Sequence, residues 1–439
     1  MTRVRARGRA GGWRAAAPPT SEAAAGWWAS RPRSTVPSRD RVHALDALRA
    51  LAMFGVVLMH AQLSYMDHPY GPPVWAIYDH PSSRVLSVAF WWFHPFRLPL
   101  FFCIAGFFAA QVHATRGPTG FLVHRVKRIL VPFLVGGVVL LPLIFYVFAA
   151  GWWVSGLCTW DEIRRVKFGP SIQAELFGPV HLWFLEYLFL YCLLLWAACR
   201  RWPDAPACAA DLDASRWDRL MASAWRPLWC AMPTAAVLVA DIGAVATHRN
   251  AFVPSPFQFL YYGVFFAVGV RLYRFRDDLD RFAPRSGIYL AASLLLFVYA
   301  EPLLQQQRQG ATLAPFARLL LPVALALFAW LSVFGFLGLF LSVFTRPHAR
   351  LRYLSDAAYW VYLVHLPIVA GLQIALVPLP LPGLLKFAVV VAVTTAVCLW
   401  SYERCARYTA IGAVLHGPRT RPPRPEALAP DLVVPGYAP

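Results

Sequence analysis

Residues 45–60 read LDALRALAMFGVVLMH, and this stretch decides the class of fold. It is apolar except for Asp46, Arg49 and His60, and its largely apolar character continues to residue 65. A run of that length matches the roughly 20 residues an α-helix needs to cross the hydrocarbon core of a bilayer. Comparable runs recur at 88–112, 129–149, 181–199, 228–247, 257–273, 287–304, 319–344, 357–377 and 383–402. The pattern predicts an all-α, polytopic transmembrane bundle of about ten helices.

Composition agrees. Hydrophobic residues make up 59% of the 439 and charged residues 14%, too little polar surface to cover a water-soluble fold of this size. The 18 Trp suit a chain with many bilayer interfaces, where indole rings sit at headgroup level. The net charge of +19 would raise nucleic-acid binding in a soluble chain, but its distribution argues otherwise. With the N-terminus inside, the inner connections and tails hold 30 Lys and Arg and the outer connections six. That imbalance predicts both termini in the cytoplasm, in a multi-pass protein of the cytoplasmic (inner) membrane, and accounts for the charge with the lipid bilayer as partner and no nucleic acid.

Residues 1–42 lack an apolar core for a signal peptide and read as a disordered basic cytoplasmic tail. Residues 43–407 form the transmembrane domain, and 408–439, with GPRTRPPRP at 417–425, read as a Pro-rich disordered tail. The eight cysteines show no CxxC pair and are expected to be small buried hydrophobes, with no disulfide framework and no metal site.

An ionisable group at membrane depth costs about 2.5–3.5 kcal/mol on insertion, so each one is a functional candidate. Arg49 and His60 are 11 residues apart and return to one helix face about 16 Å apart, with Asp46 one turn before Arg49. PFRLPLFFCIAGFFA (95–109) runs the opposite way and carries Arg97 to the level His60 reaches. In VHRVKRILVPF (123–133), Arg125 and Arg128 are three apart at an inner mouth, where paired guanidiniums suit phosphates. HLWFLEYLFLY (181–191) offers His181 and Glu186, and AYWVYLVHLPI (358–368) offers His365. Each has a structural reading too: a buried His satisfying a carbonyl, an Arg snorkelling to the interface, a basic flank on the inner side. No GxGxxG, GxxxxGKS or HExxH is present.

These segments in this order, with FFAVGV at 265–270 and Tyr402–Glu403, resemble the acyltransferase-3 family of integral membrane acyltransferases, and within it the glucan succinyltransferase branch, over roughly residues 43–405. The resemblance implies a bundle of about ten helices that takes an acyl group from cytoplasmic acyl-CoA, a co-substrate rather than a bound cofactor. The acyl group is placed on a hydroxyl of a carbohydrate or glycosylated acceptor at the outer side. By motif, His60 would be the catalytic histidine, Arg49 its signature partner, and Arg125 with Arg128 would hold the donor's phosphates. Ala105 departs from the Ser that relatives commonly carry before this Gly, which puts in doubt any role for that hydroxyl.

The chemistry fits. A sugar hydroxyl needs a base within hydrogen-bond reach, which His60 would supply, and the oxyanion formed on the thioester carbonyl needs a preorganised cation, for which Arg97 is the candidate. His60 could equally carry the acyl group itself between two half-reactions. His181, Glu186 and His365 are candidates on the acceptor side, and Asp46 belongs with Arg49. A proton-coupled small-solute transporter is the rival reading, but it would show internal repeats with broken helices in matching positions, and none is visible.

Overall fold

The computed structural model describes residues 43–67, 70–202, 216–246, 250–346 and 348–420. These are helical almost throughout, with no named strand among them. The longer helices are α1 (His43–Gln62), α2 (Arg84–Arg125), α3 (Val131–Val154), α4 (Trp183–Arg201), α5 (Arg226–Ala240), α6 (Pro256–Leu272), α7 (Ser286–Arg308), α8 (Pro315–Val343), α9 (Ala349–Leu376) and α10 (Gly383–Ser401). Prolines at the first positions of α6 and α8 start those helices where the missing N–H costs nothing.

Seven helical runs among the described residues are long and apolar enough to cross a membrane, fewer than the expected ten or so. Two of the expected runs, 88–112 and 129–149, fall inside one helical stretch, Arg84–Val154. That stretch is broken at Gly117, whose φ of 66° is a conformation glycine adopts without a steric penalty. A π-helical turn, Val126–Leu130, then leads into α3. Two further expected runs correspond to shorter helices: α5 has 15 residues, and α6 has 17 and includes Gln258 and Arg271.

Helix α1 packs along α9 and α2, α2 along α6, α8 along α5 and α7, and α10 along α9. The α2–α6 contact explains two glycines of the sequence motifs. A Cβ on Gly106 would collide with the carbonyl oxygen of Phe266, and one on Gly269 with that of Cys103. Each backbone therefore occupies the space that the other's side chain would need, which seats α2 firmly and fixes the height of Arg97.

Two other carboxylates pair with arginines: Glu301 with Arg84 at 2.9 Å and Glu403 with Arg407 at 2.6 Å. Asp241 instead accepts from the backbone N–H of Gly243. Among the described residues six cysteines are free thiols, five of them buried. Cys199 is disulfide-bonded, which corrects the expectation that no cysteine would be. Spacing motifs do not report such a bond, because it requires only that two Cα atoms come within about 7 Å in space. The segment read as a Pro-rich tail from 408 holds, in its described part, a short helix at Ala410–His416. The tails 1–42 and 421–439 lie outside the described residues.

Candidate active site

The site forms where the last turn of α1 meets the middle of α9. After α1 the chain makes a 3-10 turn, Leu63–Tyr65, and folds back on itself. Ser64 Oγ donates to the Ile77 carbonyl at 2.8 Å, while the backbone N–H groups of Asp79 and Ser83 donate to the carbonyls of Ser64 and Tyr65, both at 2.8 Å. Lys386 at the start of α10 clamps the fold with a 2.6 Å ion pair to Asp79. This segment brings Trp75 against His60, with ring centroids 5.5 Å apart and planes within 14°.

On its other side His60 meets His365. His60 Nδ1 lies 2.8 Å from His365 Nε2, and the ring planes are 13° apart. His365 is fully buried, and its Nδ1 lies 2.7 Å from the Tyr362 carbonyl oxygen. Gln373, two turns further along α9, ties these parts together. Its amide nitrogen donates to the carbonyls of His60 and Ala61, each at 3.1 Å, and its oxygen accepts from the Trp75 indole at 2.9 Å.

Pro367 has a direct consequence here. Lacking an N–H, it cannot bond the carbonyl four residues earlier, that of Leu363. His181 Nε2 occupies the vacancy, donating to the Leu363 oxygen at 3.1 Å, while Tyr362 Oη donates to the His181 carbonyl at 2.7 Å. A carbonyl released by one helix is thus satisfied from the next, as the bilayer interior demands.

Arg97 completes the group. It is 4% exposed, and Nη2 reaches the Met59 sulfur at 3.1 Å. Its Nε is buried without a hydrogen-bond partner, and no carboxylate pairs with it among the described residues. A buried guanidinium without an anion is costly, so a site that keeps one is arranged for a negative charge that arrives later.

His60, Arg97 and His181 face one cavity of about 1310 Å³ counted out to its open mouth, with Trp75, Tyr70 and Trp183 in its wall. Glu175, in a short helix at Pro170–Leu176, and Asn250, on the connection before α6, also line it. Glu175 is half-buried, and loss of hydration lifts its carboxyl above the usual glutamate range. Aromatic faces interleaved with a few polar groups suit the apolar faces and hydroxyls of a sugar ring.

The remaining sequence candidates assemble elsewhere. Asp46 and Arg49 lie at the start of α1, about 21 Å and about 16 Å from His60 by helical rise. Arg49 pairs with Asp46 at 3.1 Å, donates to Ser355 Oγ at 2.6 Å and lies over the Phe108 ring. Arg125 converges on the same residue, donating to the Phe108 carbonyl at 2.8 Å, and Arg128 donates to the Leu415 carbonyl at 3.1 Å. The eight positions other than Glu186 therefore sort into two groups: His60, Arg97, His181 and His365 at one end of α1, and Asp46, Arg49, Arg125 and Arg128 at the other. Glu186 joins neither; its Oε2 is buried without a hydrogen-bond partner. Among the described residues no group of three or more His, Cys, Asp or Glu side chains is arranged to hold a metal.

Sequence reasoning missed Trp75, Tyr362 and Gln373. Gln373 was within reach of the same insertion-cost rule that singled out His365, since it is an amide in an apolar run. Trp75 lies in a segment without periodicity and gives no such signal.

The acyltransferase-3 family, described as an acyltransferase domain, matches residues 42–403. The chain belongs to this family, and it is an acyltransferase built as a multi-pass membrane protein. It is similar to the glucans biosynthesis protein C of Escherichia coli strain K12, 25% identical over 345 residues that cover 75% of this chain and 82% of the relative. The proteins of that name from Escherichia coli strains SMS-3-5 and O139:H28 match with the same identity and coverage. No solved structure matches.

Proposed function

We propose that this chain is an O-acyltransferase of the cytoplasmic (inner) membrane that moves an acyl group from cytoplasmic acyl-CoA to a hydroxyl of a carbohydrate or glycosylated acceptor on the opposite side. The observation that carries the reading is the meeting of an imidazole, His60, and an anion-less buried guanidinium, Arg97, in the wall of one cavity. The acceptor class draws on the aromatic wall of that cavity and on relatives named for glucan biosynthesis, which makes a glucan the first acceptor to try. In this reading the chain crosses the membrane about ten times, with both termini cytoplasmic. The 30-to-six imbalance of Lys and Arg then puts the cluster of Asp46, Arg49, Arg125 and Arg128 at the donor mouth.

The chemistry balances with these groups alone. The acceptor hydroxyl gives its proton to His60 as its oxygen bonds to the thioester carbonyl carbon. The tetrahedral oxyanion forms beside Arg97, whose charge is already in place and needs no reorganisation. Collapse breaks the carbon–sulfur bond, and the CoA thiolate leaves with the proton from His60. Arg125 and Arg128 hold phosphates remote from this centre, and His181 and Glu175 contact the acceptor.

The test uses sealed, oriented vesicles holding the full chain, with labelled acetyl- or succinyl-CoA outside on the cytoplasmic face and a glucan inside. The label should reach the glucan, with free CoA on the donor side. His60→Ala and His60→Gln should both abolish transfer in folded, inserted protein, because Gln keeps a hydrogen bond without basicity. Transfer only when both substrates share one face would refute the transmembrane route. More than a few per cent of activity in His60→Gln would refute His60 as the base.

A further inference from the structure

We infer that His365 is a positioning residue that fixes the tautomer of His60, so that His60 presents a proton-free Nε2 for proton abstraction. The argument starts from an atom with no freedom. A main-chain carbonyl oxygen only accepts hydrogen bonds, so the His365 nitrogen 2.7 Å from the Tyr362 oxygen, Nδ1, must carry a proton. The Val361 oxygen, 3.2 Å from the same nitrogen, requires the same assignment. In a neutral ring the other nitrogen, Nε2, then bears a lone pair.

That lone pair faces His60 Nδ1 at 2.8 Å, a distance at which one partner must donate. His60 Nδ1 therefore carries the proton. In a neutral His60 ring the lone pair is left on Nε2, the nitrogen that can receive the acceptor's proton. The chain of polarity runs from a helix carbonyl through a fully buried imidazole to the half-buried one that borders the cavity. As the hydroxyl proton arrives on His60, the His365 lone pair holds the opposite edge of the ring in place.

The two rings are held for this purpose by groups outside the relay. Gln373 fixes the backbone at His60 and Ala61, and Trp75 lies along the face of the His60 ring. His181 cannot take the place of His365, because its Nε2 is committed to the Leu363 carbonyl and its Nδ1 has no hydrogen-bond partner.

The assignment of the tautomer stands on geometry alone, and only its kinetic consequence rests on the function proposed above; the experiment separates the two. Full-length protein labelled with ¹⁵N-histidine in detergent is examined by NMR, with His60 assigned by difference from His60→Gln. His60 should be protonated on Nδ1, the opposite of the Nε2–H form that a free histidine side chain prefers. In His365→Phe, which keeps an aromatic ring and removes its hydrogen bonds, His60 should revert toward the Nε2–H form.

In transfer assays, His365→Phe should lower kcat by about 100-fold or more, as loss of a tautomer-fixing partner does elsewhere. KM for donor and acceptor should stay within roughly threefold, since neither substrate touches His365. His365→Gln should recover most of kcat, because its amide can donate to the Tyr362 carbonyl and accept from His60. An Nε2-protonated His60 in the wild-type protein overturns the inference whatever the activity. So does a His365→Phe variant with unchanged tautomer and kcat. If His365→Phe fails to fold, the wild-type spectrum and His365→Gln still decide. If transfer is absent altogether while the tautomer is as assigned, the functional reading fails and this one survives.

Discussion

Lys386 of α10 and Asp79 of the α1–α2 connection meet at 2.6 Å with side chains only 2% and 6% exposed. The pair is the clamp on the segment that presses Trp75 against His60, so its integrity is coupled to the site.

Removing only one partner should be the more damaging change. Lys386→Met leaves the Asp79 carboxylate buried and unpaired, at a cost of about 3–5 kcal/mol. Thermal unfolding in detergent should show a large loss for Lys386→Met and recovery of most of it in Lys386→Met with Asp79→Asn. If the single and double variants unfold at the same temperature, the pair does not clamp the segment.

Arg97 is predicted to act on the transition state rather than on substrate binding. Arg97→Gln should lower kcat by about 100- to 1000-fold with a much smaller change in either KM, as loss of an oxyanion-stabilising donor does. Arg97→Lys should recover part of the loss. The reciprocal swap Arg97→Glu with Glu186→Arg should remain inactive, because no ion pair joins these residues in the structure. Full activity in the swap would mean that Arg97 and Glu186 form a structural pair after all.

The candidates that sequence reading found were those whose chemistry conflicts with their surroundings. His60, Arg97, His181 and His365 stand out because a polar group in an apolar run demands a reason, and all four assemble around one centre. What the sequence could not disclose was which group each would face. His60 and His365 are 305 residues apart and meet only because α1 packs along α9. Trp75 was invisible because it lies in an aperiodic segment, where neither periodicity nor insertion cost gives a signal. Part of the departure in the helix count has a comparable reason. Hydropathy marks apolar lengths but not whether Gly117 merely bends a helical run or ends it.

The glycines at the α2–α6 contact should tolerate nothing larger. Gly106→Ala or Gly269→Ala would force a methyl into a backbone carbonyl and should destabilise the protein by about 1–3 kcal/mol or more. Because Arg97 lies on the same helix as Gly106, transfer should fall as well. Gly371 on α9 provides the contrast, since a Cβ there meets nothing within 4 Å. Gly371→Ala should stabilise by about 0.4–1 kcal/mol, through the lower entropy of the unfolded chain. Equal effects at the three positions, read by thermal unfolding, would mean that the close helix approach is not a constraint.

Arg125 and Arg128 are predicted to act on the donor. Each spends a nitrogen on a main-chain carbonyl, of Phe108 and Leu415, and a guanidinium has five N–H groups to offer. Replacing either with Ala should raise KM for acyl-CoA about tenfold while changing kcat far less, since the phosphates lie remote from the thioester. Lys should rescue in part, because it keeps the charge and loses the planar fork. The sharper measurement uses an acyl-pantetheine, which has the thioester and no phosphates. The wild-type protein should strongly prefer acyl-CoA over this truncated donor, and the Ala variants should lose most of that preference by losing acyl-CoA affinity alone. An unchanged preference in both variants would return the two arginines to the role of a basic flank that orients the chain in the membrane.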